Sequence, residues 1–282
     1  MIGYKIIEEE GFKWRINQKG LMPLTPPDKN LNIKSEISMS LMQRNSALYM
    51  RWESSFDMIK SSSWWHVICD ESIEIESLSK NTRSKVRRGL KYFDSEMLTR
   101  QQVLDEGYKI YSSAFARYET HEEKFNEKQF LAAISNMPKN TEFWGVREKN
   151  TGKLVAFSEN YIDHDICFCN TIWFEPDALK SYSSYVFFYN LIQHYLKQRC
   201  FNYISNGAMS ISHETQIHSF LESKFGFRKA YAVLHVRYQF LLHVCVLLLY
   251  PFRKLIALIP FKIFKMATIF LKQEEIHRNC NS

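Results

Sequence analysis

The sequence predicts a mixed α/β fold with a mostly antiparallel sheet flanked by helices, on three observations. Residues 142–174 hold three stretches of strand-like alternation divided by two tight turns. Helical periodicity precedes them, and a helix–strand–helix–strand succession follows. Glycine (9) and proline (7) are scarce, and 45% of the 282 residues are hydrophobic. Collagen, solenoids, propellers and flexible linkers are thereby excluded, and the chain can bury a sizeable core.

Along the chain, residues 13–16, 47–52 and 63–69 read as strands by their aromatic and β-branched content, with the Pro26–Pro27 pair in a loop between the first two. Residues 78–93 change period. Val86, Leu90 and Phe93 recur at helical spacing while Arg83, Arg87 and Lys91 form a separate ridge, with Ser79 as the cap. Helices follow over 102–117 and 127–135, the second ended by Asn136-Met137-Pro138. Strands over 142–147, 153–161 and 166–174 are joined at Asn150-Thr151-Gly152 and Asp163-His164-Asp165, which makes an antiparallel meander. A helix over 185–197, a strand over 202–205, a helix over 214–224 and a strand over 231–238 complete the pattern.

The formal charge is +7, and its position matters more than its size. Lys80, Arg83, Lys85, Arg87, Arg88 and Lys91 lie in one stretch without an acid, and Arg253, Lys254, Lys262, Lys265 and Lys272 in another. The remainder is mildly acidic. Two local cationic patches point to anions met locally and not to a DNA duplex. Six cysteines are too few for a disulfide scaffold, and residues 1–5 lack the layout of a signal peptide, so reduced thiols and a cytoplasmic address are expected. Cys167 and Cys169 share a strand face near His164 and Asp165, but no second Cys/His pair stands nearby at zinc spacing, so no metal is expected.

The order of elements from about 100 to 239 resembles the catalytic half of the GNAT acyltransferase superfamily. The resemblance rests on Gly152-Lys153-Leu154-Val155-Ala156-Phe157 in the second meander strand and on Phe220-Leu221-Glu222-Ser223-Lys224-Phe225-Gly226-Phe227 closing the last helix. The stretch Ser79-Lys80 to Lys91 is similar to the basic helix of the Fem-like branch, in which two GNAT-like units sit in tandem. The resemblance implies a partial, β-rich GNAT-like unit over 1–99, an acyltransferase domain over 100–239 and a tail over 240–282. It also implies acyl-CoA as co-substrate, with no permanently bound cofactor, and an amine acceptor on a sugar or lipid-linked glycan precursor. Aminoacyl-tRNA-dependent transfer to a peptidoglycan precursor is the alternative enzyme, and a catalytically silent GNAT-like membrane scaffold is the alternative of another class.

Two departures bear on mechanism. The pyrophosphate segment of the family is glycine-rich, whereas residues 174–184 here contain no glycine. The candidates there are Trp173, Lys180, Ser181, Ser183 and Ser184 with the start of the following helix. The family's leaving-group tyrosine is replaced by Glu222.

Acyl transfer to an amine needs a proton acceptor and donors that polarise the carbonyl. Glu159 at the end of the second meander strand is a candidate base or a solvated strand-end carboxylate. His213 is a candidate base or part of a helix cap, and Asn206 a candidate for orienting substrate. Arg83, Arg87 and Arg88 form either a phosphate-contacting ridge or a solvated helix face. His66, beside Trp64 and Trp65, is expected as a packed residue.

From 239 to 271 the chain is apolar but broken by Pro251, Pro260 and lysines, too short for a spanning helix. The apolar residues recur at helical spacing. They predict an amphipathic tail, either lying on the anionic inner face of the membrane or packed on protein, a second copy included.

Overall fold

The computed structural model describes residues 5–17, 19–24, 27–29, 31, 33, 35–117, 123–211 and 216–281. The early elements are β1 (Lys5–Glu9), β2 (Phe12–Asn17), β3 (Gly20–Pro23), α1 (Ser35–Arg44), β4 (Tyr49–Met58), β5 (Trp64–Cys69), α2 (Lys80–Tyr92) and β6 (Phe93–Leu98). Next come α3 (Arg100–Phe115), α4 (Glu127–Ser135), β7 (Thr141–Glu148), β8 (Leu154–Asp163), β9 (Ile166–Phe174), α5 (Pro176–Lys180) and α6 (Ser183–Ile192), which runs on as a π-helical turn over Gln193–Gln198. The chain ends with β10 (Tyr203–Ala208), α7 (Gln216–Phe225), β11 (Arg228–Tyr238), α8 (Phe240–Leu249), α9 (Arg253–Ile256) and α10 (Lys262–Cys280). The chain thus has the mixed α/β architecture that the sequence predicts, and the meander and its neighbours fall within a few residues of their expected limits.

Two compact units divide the chain. One comprises residues 67–207 with 216–228, the other residues 3–66, 208–215 and 229–282. The basic helix α2 therefore groups with the meander, and most of β11 groups with the first four strands.

The first unit carries the second half of β5 (67–69) and then β10-β9-β8-β7-β6 in that order, the first half of β5 (64–66) belonging to the other unit. Its meander is antiparallel, and β6 adds to its outer edge with Phe93 opposite Glu148 and Leu98 opposite Phe143. The sequence reading missed β6, because its inward residues Phe93 and Leu98 flank a polar Asp-Ser-Glu run. Helices α3 and α4 begin with capping boxes, Thr99 with Gln102 and Asn126 with Gln129, which satisfy first-turn amides. They cover one sheet face through Val103, Ile110, Tyr111, Phe130 and Ile134, packed with Phe143 and Phe157.

Helix α2 starts at Ser79, whose hydroxyl accepts from the Thr82 amide, and it packs on α6 through a glycine. A Cβ at Gly89 would lie 2.5 Å from Val186 Cγ2 and 2.9 Å from the Tyr182 carbonyl oxygen. Gly89→Ala gains about 1 kcal/mol of helix propensity, but the forced separation of the two helices costs about 1–3 kcal/mol. The expected net result is a lower midpoint in thermal unfolding; an unchanged or higher midpoint would show that α6 yields freely.

The second unit has the strand order β1-β2-β3-β4-β11, with α1 over a cluster of Trp14, Leu21, Leu41, Met42 and Met50. Here His66 is buried, as a packed residue, and its Nε2 lies 2.6 Å from Glu53 Oε2. Trp64 Nε1 donates to the other carboxylate oxygen at 2.9 Å. Burial pushes the Glu53 carboxyl up, but the charge and hydrogen bond of His66, with Trp64 and Arg51, outweigh it and hold the group below its ordinary value. A lowered folded-state value means stability that is present above the unfolded value near pH ~4.3 and is lost as pH falls through the folded one. Thermal midpoints measured from neutral to acid pH should therefore drop on the acid side, and Glu53→Gln should flatten that drop. An identical acid limb in both proteins would remove Glu53 from the account.

Candidate functional site

The chemistry-bearing residues gather in the first unit where two strands part. Parallel pairing of β10 with β9 lasts three residues, Tyr203, Ile204 and Ser205 opposite Ile166, Cys167 and Phe168. Beyond these, β9 runs on to Phe174 and β10 to Ala208 without register partners between them. On the other edge of β9, Thr171 pairs with Glu159 and Cys169 with Asn160. Asn170 is thus the extra residue of a β-bulge, which bends a strand and re-aims its groups. It has no register partner on either neighbouring strand.

The result is a slot bounded by Asn170, Thr171 and Ile172 on one side and Asn206 and Gly207 on the other, all half-buried. Gly207 has φ +84°, and a Cβ there would meet nothing within 4 Å, so the space beside it is open. The Gly207 amide donates to Ser205 Oγ at 3.1 Å, and His218 Nε2 on α7 lies 3.3 Å from the Asn206 carbonyl oxygen, which together fix the far wall. A gap between parted strands suits a thin, extended ligand carrying amides, because strand backbone then offers hydrogen bonds along its length.

Glu159 is fully buried on the central strand β8. This corrects the alternative of a solvated strand-end carboxylate: the strand extends four residues past it to Asp163. By register it shares a sheet face with Phe143 and Thr171. That is the face covered by α3 and α4, and the Thr171 hydroxyl is a buried polar atom without a hydrogen-bond partner among the described residues.

The segment expected to form a glycine-free phosphate loop is instead helix α5, with Pro176 in its first turn, followed by a turn in which Tyr182 has φ +71°. Its residues separate. Lys180 is exposed and pairs with Asp177 at 2.8 Å. Trp173 packs edge-on against Tyr111 at 4.8 Å and belongs to the aromatic cluster under α3. Ser181 lies in the turn, while Ser183 and Ser184 open α6. The Ser183 hydroxyl is fully buried with no hydrogen-bond partner among the described residues, at a helix start where the Tyr185 and Val186 amides turn back to the Tyr182 carbonyl and the two amides before them point outward. Lys85 of α2 reaches this first turn: its ammonium is 3.3 Å from the Tyr185 hydroxyl and 5.2 Å from the ring centre.

The arginine ridge is less open than the acid-free stretch implied. Glu76, just ahead of α2, accepts from Arg83 through its carbonyl at 2.7 Å and from Arg87 through its carboxylate at 3.3 Å. Arg88 is exposed and forms no ion pair among the described residues. His213, with Ser212, lies outside the described residues.

Cys167 and Cys169 are buried, and burial with the neighbouring Cys169 raises the Cys167 thiol well above its ordinary value. Among the described residues no group of three His, Cys, Asp or Glu side chains is placed to hold a metal ion.

Asn170, Thr171, Lys85 and His218 were not read from the sequence. The first two owe their place to a register shift, which leaves no mark in composition. Lys85 was visible only as one of six cations.

No family model and no curated protein matches the sequence. Solved structures do resemble the fold. L-PGS from Bacillus licheniformis matches with a TM-score of 0.56 at 11% identity, over 96% of this chain and 90% of that one. FemX matches with 0.54 at 8% identity, over 81% and 86%. The C-terminal domain of a protein assigned as a lysylphosphatidylglycerol synthetase, from Agrobacterium fabrum, matches with 0.51 at 12% identity, over 82% and 83%. At these identities the likeness concerns architecture. The chain shares the GNAT-like, Fem-like fold of these proteins.

Proposed function

We propose that the chain is an acyltransferase that moves an acyl group from acyl-CoA to an amine of a sugar or lipid-linked glycan precursor at the inner face of the membrane. The observation that carries this reading is the parting of β9 from β10 beside the bulge at Asn170. An extended thioester arm would lie in that slot, its carbonyl polarised by backbone amides at the bulge. Its phosphates would meet the start of α6, where the Ser183 hydroxyl, the free amides and Lys85 supply donors and charge. The acceptor nitrogen attacks the carbonyl carbon, the carbon–sulfur bond breaks, the nitrogen's proton passes to Glu159 and from there to solvent, and the departing thiolate takes one proton back from solvent. Holding the two reactants together in the slot contributes as much as the base does.

A second reading has its own support. Helix α5 stands where a glycine-rich phosphate loop would be, and the match to L-PGS spans nearly the whole chain. Both favour an aminoacyl group delivered by tRNA to a membrane-borne acceptor. Calorimetric titration with acetyl-CoA, longer acyl-CoAs and aminoacyl-tRNA separates the two. Binding of a CoA thioester supports the first, binding of charged tRNA alone replaces it with the second, and binding of neither makes the chain a scaffold.

A further inference from the structure

We infer that the helical hairpin formed by α8, α9 and the first half of α10 docks into the headgroup layer of an anionic phospholipid bilayer. The inference stands on this surface alone and not on the transferase reading. The outer side of the hairpin is apolar and bare: Phe240 is 78% exposed, Leu241 75%, Leu255 64%, Leu258 79%, Phe261 68% and Ile263 72%. Large apolar side chains exposed to water throughout residues 240–263 mark an interaction surface.

The hairpin is built to hold that surface outward. Val246 and Ile256 turn inward with Tyr238 and Leu271 to form its own core. The second half of α10 belongs to the protein and not to the apolar stripe. Leu271 and Ile276 are buried, Gln273 Nε2 donates to the Tyr238 hydroxyl at 3.3 Å, and His277 Nδ1 lies 2.9 Å from the Leu234 carbonyl oxygen. At the bend, Tyr250 faces the guanidinium groups of Arg253 at 4.4 Å and Arg278 at 3.9 Å, and Arg253 pairs with Glu275 at 2.9 Å. The amphipathic tail expected from the sequence, broken at Pro251 and Pro260, is thus a hairpin with an anchored base and an exposed tip.

Charge selects the occupant. No Asp or Glu occurs between residues 239 and 273. Lys254 and Lys265 are exposed beside the apolar residues and form no ion pair among the described residues. Apolar surface rimmed by uncompensated lysines complements anionic headgroups over acyl chains. A second copy would bring the same cations together without a carboxylate from either hairpin tip. Insertion across the bilayer is not available: no described helix is long and apolar enough to cross it, and the ten residues of α8 span about 15 Å of a hydrocarbon layer about 30 Å thick.

Flotation of the full chain with vesicles tests this. The protein should float with phosphatidylcholine vesicles containing phosphatidylglycerol at least about tenfold better than with phosphatidylcholine alone, and high salt should remove the difference. Leu255→Glu with Leu258→Glu should cut flotation by about tenfold or more without moving the thermal midpoint, since both side chains are already in water. Lys254→Glu with Lys265→Glu should abolish the preference for the anionic vesicles. Equal flotation of the leucine variant and the parent overturns the inference. So does failure of the parent to float while sedimentation shows a dimer that the leucine variant dissociates, which would assign the surface to a second copy.

Discussion

Glu159→Gln is expected to lower the turnover number for acyl transfer by about 10²–10⁴-fold while leaving the unfolding midpoint near that of the parent. The carboxyl is fully buried on the central strand, in register with Thr171 beside the bulge and on the face covered by an aromatic cluster. The glutamine side chain is isosteric with the carboxylate and keeps one carbonyl acceptor in the same space, so the substitution removes the proton acceptor and little else. Glu159 pairs in register with Thr171, the residue next to the bulge that lines the slot, which puts a carboxylate one strand away from where the amine proton must go. The two readouts separate the roles. Turnover equal to that of the parent, measured with whichever donor titration identifies, would make Glu159 structural. A large fall in both turnover and midpoint would make it a packing residue whose loss disturbs the site indirectly.

Phe130→Ala is expected to lower the unfolding free energy by about 3–5 kcal/mol, a large part of the ~5–15 kcal/mol that holds a typical domain together. Phe130 is wholly buried in α4. Its ring stacks on Tyr111 at 5.3 Å and meets Tyr108 at 5.7 Å and Phe157 of β8 at 6.3 Å. A Cβ on Gly107 would come within 3.1 Å of its Cζ, so α3 approaches α4 closely at this ring. Removing it leaves a cavity that helix backbones cannot close. Urea unfolding followed by tryptophan fluorescence should show a lower midpoint at unchanged slope. Because Tyr111 also supports Trp173 near the end of β9, ligand titration of the variant should weaken as well. A midpoint shift worth less than about 1 kcal/mol would mean that the cluster repacks around the gap.

Where local chemistry decides conformation, the sequence was legible. Helix α4 was expected at 127–135 and lies at Glu127–Ser135, since Asn126 caps one end and Asn136-Met137-Pro138 closes the other. The meander was legible because turn residues interrupt strict alternation at Asn150-Thr151-Gly152 and Asp163-His164-Asp165. Helix α2 and its Ser79 cap were legible for similar reasons. The failures are equally instructive. Strands β1 and β3 and helix α1 went unread because their apolar residues are few and spaced for neither period clearly. Helix α5 carries its own start signal in Pro176 and Asp177 of its first turn, but at five residues it is too short to show a helical period.

Sequence by itself determined the α/β class, the order of elements over residues 100–174 and 183–238, the segregation of cations into two stretches and the absence of a spanning helix in the tail. Each depends on neighbours a few residues apart, through capping, periodicity and unbroken apolar length. Only the tertiary structure decided that Asn170 leaves the ladder, that β9 and β10 part after three pairs and that Glu159 is buried. It alone set Glu76 against Arg83 and Arg87, and turned one side of the tail hairpin outward while seating the end of α10 in protein. These depend on strand register and burial, which are fixed by residues distant in the chain packing against one another, and no local pattern carries that information.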